Sequence, residues 1–134
     1  MAPVEWLRRW TIAASLASLP FILAHAVEDF GEGIAQRVGL STGVGAFLLG
    51  GYLAGQCLGL VLVGRGRPAG FRLTVWIGLI WLAGALFEHG RVLLAGHFRT
   101  GAASVLWIGG LLLTQGACVV LAWAGARGAR PRRG

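Results

Sequence analysis

TIAASLASLPFILAHAVEDF, residues 11–30, is the stretch on which the fold turns. It is apolar for most of its length and carries no formal charge before Glu28. A helix rising about 1.5 Å per residue needs about 20 such residues to cross a hydrocarbon core about 30 Å thick. Three more blocks of this kind follow, at residues 43–64, 73–95 and 102–125. Each must be helical if it spans, because a bilayer offers the backbone no water to bond. The expected fold class is all-α, an integral membrane bundle of four transmembrane helices. Residues 1–126 would form that single domain and residues 127–134 a basic tail.

Composition points the same way. Of 134 residues, 56% are apolar and only 13% charged, where a soluble domain carries about 25% charged residues. All twelve basic residues are arginine. Arg8, Arg9, Arg65, Arg67, Arg72, Arg127, Arg130, Arg132 and Arg133 fall at one boundary of the spans, and only Arg37, Arg91 and Arg99 fall at or near the other. The positive-inside rule then places both termini in the cytoplasm and the protein in the cell inner (plasma) membrane. Trp6, Trp10, Trp76 and Trp123 flank the inner boundary and Trp107 the outer, as in an aromatic belt. The net charge of +7 is accounted for by topology and anionic headgroups. The lipid bilayer is therefore the expected partner, and no nucleic acid is.

A second reading of the N-terminus competes. Arg8 and Arg9, the apolar run and Ala24-His25-Ala26 also resemble a signal peptide cleaved after Ala26. Cleavage would leave three spans and remove His25.

Cys57 and Cys118 both lie inside apolar blocks. They read as small buried hydrophobes, since two separated thiols build neither a disulfide framework nor a zinc cage. The halves of the chain are faintly repeated at an offset of about sixty residues. Gly55-Gln56-Cys57 before one arginine-rich end parallels Gln115, Gly116 and Cys118 before the other, and His25 to Asp29 lines up near Glu88 and His89. Gly51, Gly55 and Gly59 recur at four-residue spacing, which lets two helix backbones approach closely. That contact serves packing inside the bundle or a homodimer interface. Tyr52, Gln56, Thr114 and Gln115, within spans two and four, are expected to hydrogen-bond between helices.

The chemistry gathers near the outer boundary. His25, Glu28, Asp29 and Glu32 follow the spacing that puts side chains on one helix face. Glu88, His89 and Arg91 lie in the third span, which runs parallel to the first, and counting from the inner ends sets His25 and Glu88 at similar depth. Ionisable groups inside a span cost at least about 2.5 kcal/mol each and normally face the bundle interior or a cavity. Glu88 and Arg91, three residues apart, can also neutralise one another. His97 and Arg99 would cap the region from the last outer loop.

Four uses fit such a cluster. A carboxyl in an apolar pocket holds a proton near neutral pH, and His25 can relay it, which suits acid–base work on a lipophilic molecule. A metal could be held by His25-x-x-Glu28 with His89 or His97, although no tight ligand signature is present and no metal is assigned. A haem could sit between histidines of spans one and three. Lastly, the polar groups could serve only to lock the bundle, or to dock a non-enzymatic accessory or transport subunit to a larger complex. Whether the chain is an enzyme stays open, and no cofactor is identified.

His25-Ala-Val-Glu28-Asp29 in a first apolar span resembles the signature of the HXXEE-motif membrane proteins. Glu88-His89, followed by His97-Phe98-Arg99-Thr100-Gly101 before the last span, is similar to that family's second histidine and its basic, glycine-containing turn. This chain has Asp29 for the second acid and Thr100 for a proline. The resemblance implies a small multi-spanning protein and no particular activity. The histidine and paired acids in a helical bundle also resemble sterol-isomerase-like membrane proteins and small carotenoid cyclase subunits, although Val27 stands where the cyclase signature has proline. That likeness implies proton transfer to an isoprenoid alkene. The candidate catalytic residues are His25, Glu28, Asp29, Glu88 and His89, and the candidate ligand is a lipophilic, isoprenoid-like small molecule.

Overall fold

A computed structural model describes residues 3–95 and 101–128 of the chain. Five helices follow one another: α1 (Pro3–Gly31), α2 (Ile34–Arg37), α3 (Thr42–Gly64), α4 (Pro68–Ala95) and α5 (Ala102–Gly128). Four of them, all but α2, are long and apolar enough to cross a membrane. They extend beyond the expected spans, most of all at the end that carries the N-terminus, where α1 begins at Pro3 and α5 continues to Gly128. Arg127, expected in the tail, is thus helical, with its guanidinium 3.5 Å from the centre of the Trp123 ring. Arg130, Arg132 and Arg133, like His97 and Arg99, lie outside the described residues.

Neighbouring long helices run antiparallel. Along the α1–α5 seam, Val4 lies against Gly128 and Phe21 against Gly110, and Ser104 bonds Glu28. Along α3–α4, Gly59 faces Thr74, and Tyr52 Oη donates to the carbonyl of Ile77 at 2.5 Å. The packing order is α1 on α5, α5 on α4 and α4 on α3, with sparser contact between α3 and α1. Helices α1 and α4 stand diagonally, without backbone contact among the described residues.

Small residues set the helix spacing. A side-chain carbon on Gly59 would come within 2.9 Å of Thr74 Oγ1, and one on Gly55 within 3.1 Å of Ile77. Two members of the Gly51–Gly55–Gly59 series therefore serve the α3–α4 seam, while Gly51 meets nothing within 4 Å. On the other seams, Gly110 makes room for the Phe21 ring and Gly125 for Phe71.

Ile22, Ala85 and Leu111 form one apolar core layer, and Val63, Phe71 and Ala122 form another. Between them lies a polar layer. The Gln56 amide donates to Ser15 Oγ at 3.0 Å, Trp81 Nε1 donates to Gln56 Oε1 at 3.0 Å, and the Gln115 amide donates to Ser18 Oγ at 2.9 Å. Ser18 Oγ in turn donates to the Ser15 carbonyl at 2.6 Å. The two glutamines of the faint repeat thus converge on one pair of serines, Ser15 and Ser18 of α1. Thr114 instead bonds back to Gly110 of its own helix, at 2.6 Å.

The burial pattern inverts that of a water-soluble protein. Thr11, Ser15, Ser18, His25, Gln56, Thr74, Ser104 and Gln115 are buried, while Phe47, Phe87, Leu94, Leu113 and Trp76 are exposed. Large apolar side chains covering the outside of every long helix suit lipid, because contiguous exposed apolar surface is unfavourable in water.

Candidate functional site

Past the end of α1 the chain turns sharply. Gly33 and Gly39 both take φ of +78°, a left-handed conformation that side chains with a Cβ rarely adopt. Between them the short α2 folds back toward the bundle, with Ala35 buried against Gly45 of α3. Ser41 then caps α3, its hydroxyl accepting from the Val44 amide at 3.3 Å. This return brings Arg37 across to α4, where its guanidinium meets Glu88 Oε1 at 3.0 Å.

Beneath α2, two histidines meet across the bundle diagonal. The rings of His25 (α1) and His89 (α4) are in edge-on contact, their centroids 4.8 Å apart. Asp29, one turn beyond His25, lies between them, using a different oxygen toward each. His25 Nε2 is 3.3 Å from Asp29 Oδ2, and His89 Nε2 is 3.8 Å from Asp29 Oδ1. His25 is only 6% exposed. His25 Nδ1 and His89 Nε2 are both buried without a hydrogen-bond partner.

A groove of about 320 Å³ opens beside this cluster. Phe30, Ile34, Val38, Leu49, Trp81 and Phe87 give it apolar walls, and Gly84 adds a bare stretch of backbone. His25, Asp29 and Glu88 supply its polar end. Trp81 is held in place from behind, bonded to Gln56 and in edge contact with the Tyr52 ring, centroids 5.0 Å apart.

The expected site residues divide between two places. His25, Asp29, Glu88 and His89 come together at the groove. Glu28 points to the α1–α5 seam, where Ser104 Oγ donates to its Oε2 at 3.0 Å. The i, i+3 pair His25-x-x-Glu28 is therefore not the convergent one; the i, i+4 pair His25 and Asp29 is. Glu32 lies on the turn just past α1 and is exposed. Among the described residues, the basic partner of Glu88 is Arg37 from α2 rather than Arg91 on its own helix. Arg37, Trp81, Ser104, Ser15 and Ser18 were not singled out from sequence. Only the serines carried a usable signal, being small polar residues spaced three apart inside an apolar span.

No known protein family, curated protein or solved structure matches the chain. Its functional reading therefore rests on the site itself.

Proposed function

We propose that this is a multi-pass protein of the plasma membrane, both termini cytoplasmic, that binds a lipophilic small molecule in the groove between α1, α3 and α4 and acts on it by proton transfer. One observation carries the reading: a groove of about 320 Å³ with apolar walls ends on an imidazole–carboxylate pair, the buried His25 and the half-buried Asp29. Small-molecule sites are concave, mostly apolar and about 300–1,000 Å³, with a few convergent polar groups. This groove has that composition and lies at the small end of that range. It suits a short isoprenoid-like segment better than a large ring system.

An imidazole beside a carboxylate can accept or release a proton while the carboxylate fixes the ring. Arg37 balances the charge of Glu88, so the polar end need not carry a bare anion in the membrane. A proton given to one carbon of an alkene and another taken from the allylic carbon beyond the other alkene carbon shifts the double bond by one position with no net gain or loss. The pairing of His25 with Asp29 at the polar end of the groove, with Glu88 and His89 beside them, supports such an exchange. The likeness to sterol-isomerase-like proteins agrees with this chemistry. The nine-to-three division of arginines supports the orientation.

Gly84 provides the test. It lines the groove, and a side-chain carbon there meets nothing within 4 Å. Gly84→Leu fills the groove without displacing the bundle. Organic extracts of the protein purified in mild detergent are compared by mass spectrometry. The wild type should release a bound lipophilic species that Gly84→Leu lacks, and Glu88→Gln should retain less of it at equal membrane yield. Identical extracts from wild type and Gly84→Leu would sink the proposal.

A further inference from the structure

We infer that His25, Asp29 and His89 form a binding site for one divalent transition-metal ion, zinc by choice of donors, with an open coordination position toward the groove. The inference concerns the same polar end as the proposed function; a bound metal would engage the lone pairs of His25 and Asp29, so proton transfer to a groove-bound molecule would then fall to Glu88, and only the occupant of the open position rests on that reading.

Geometry is the first argument. One donor atom from each of the three residues lies within 4.8 Å of the others. Tetrahedral zinc binds imidazole nitrogen and carboxylate oxygen at about 2.0–2.2 Å, which sets its donors about 3.3–3.6 Å apart. His25 Nε2 lies 3.3 Å from Asp29 Oδ2, and His89 Nε2 lies 3.8 Å from the other oxygen, Oδ1. The three side chains thus gather close to the spacing that one tetrahedral ion requires.

The second argument is what the donors lack. His89 Nε2, which faces Asp29, is buried without a hydrogen bond, and so is His25 Nδ1, the ring nitrogen opposite the one that faces Asp29. Leaving a buried polar atom unsatisfied is costly. Two imidazoles pressed together around one carboxylate are poorly satisfied by protons alone, and the lone pair of a neutral imidazole is what a metal takes up.

The donor types complete the case. Two imidazoles and one carboxylate suit zinc and its first-row neighbours rather than calcium or magnesium, which take oxygen. Three protein ligands leave a fourth position free, as in catalytic rather than structural zinc sites. His25 and Asp29 both line the groove, so that position faces it. A polar group on a groove-bound molecule would then meet the metal directly.

The test uses full-length protein in detergent, purified without a polyhistidine tag or chelator. Its metal content is measured, and it is then stripped and titrated with Zn2+ and with Co2+. The expected result is one zinc per chain, with a tetrahedral-type Co2+ absorption band in the wild type. His25→Ala and His89→Ala should each fall below one-tenth occupancy, Asp29→Asn should bind at least tenfold more weakly, and Cys57→Ser should keep its metal. Zn2+ should also raise the melting temperature of the wild type and not of the histidine variants. Wild-type protein with no saturable Zn2+ or Co2+ uptake would overturn the inference in favour of a proton-sharing His–Asp–His cluster, whatever the variants do. Gly84→Leu separates the two proposals. It should lose the lipophilic species while keeping the metal, so either can fail without the other.

Discussion

Gln56 shows how much one side chain does in this bundle. It lies 3% exposed on α3 and touches two other helices, donating to Ser15 of α1 and accepting from Trp81 of α4. In lipid, helices gain little from burying apolar surface against each other, so packing and interhelical hydrogen bonds must hold them. Such bonds average about 0.6 kcal/mol and reach about 1.7. Gln56→Leu removes both and leaves the Trp81 N–H without an acceptor, which adds a desolvation cost of about 1–3 kcal/mol. The variant should lose about 1–2 kcal/mol in detergent unfolding, since the α1–α3 contact can partly relax. Ser15→Ala should cost less, because Ser18 Oγ remains 3.4 Å from the same amide. Equal stability of Gln56→Leu and wild type would mean that the polar layer contributes nothing to the bundle.

Among the elements, α2 has the largest effect for its size. It is four residues long, too short to be stable alone, since isolated helices under about 12–15 residues are marginal in water. Its position is fixed by the left-handed glycines on either side, by Ala35 against Gly45, and by Arg37 on Glu88. Its residue Ile34, with Val38 just beyond, roofs the groove, and Arg37 pairs with the groove's acid on α4, Glu88. Arg37→Glu sets two carboxylates against each other and should loosen the outer end, read as faster amide hydrogen exchange in α2 and loss of any bound lipophilic species. Arg37→Glu combined with Glu88→Arg restores the pair with reversed polarity and should recover the protection. If the single and double variants exchange alike, the Arg37–Glu88 contact does not position α2. The expected cap from His97 and Arg99 lies outside the described residues. The cap that is described comes from the first outer loop, where a lone arginine between two glycines had looked like an ordinary boundary charge.

At the scale of the whole molecule, the four long helices bring the start of α1 and the end of α5 to one face. In the proposed orientation, which follows the arginine bias, that face is cytoplasmic. A fluorescent protein fused after Gly134 should therefore fluoresce, and alkaline phosphatase fused there should be inactive. The reverse result would invert the site, turning the groove's polar end from the outer leaflet to the inner. The protein should also stay in the membrane fraction through alkaline carbonate washing and leave it only with detergent.

The four long helices were legible from the chain alone, because spanning a bilayer constrains length and apolarity in consecutive residues and nothing else competes with that signal. The shared depth of His25 and the Glu88–His89 pair was legible too, since helix rise converts sequence position into height. Rotation about each helix axis was not. Two parallel helices at matching depth can face each other or face away, and an i, i+3 residue and an i, i+4 residue differ by about 100° in direction along the same face. Only the packing of α5 between α1 and α4 turned His25 and Asp29 toward His89 and sent Glu28 to Ser104. Only the fold-back of α2 carried Arg37 to Glu88, because a contact made through a turn depends on backbone angles at Gly33 and Gly39 rather than on any periodic pattern. The sequence by itself determined that this chain builds a bundle with four of its five acidic residues toward one end. The tertiary structure alone decided which of them meet, and so made a two-histidine, one-aspartate site beside an apolar groove out of what had been a scatter of polar residues.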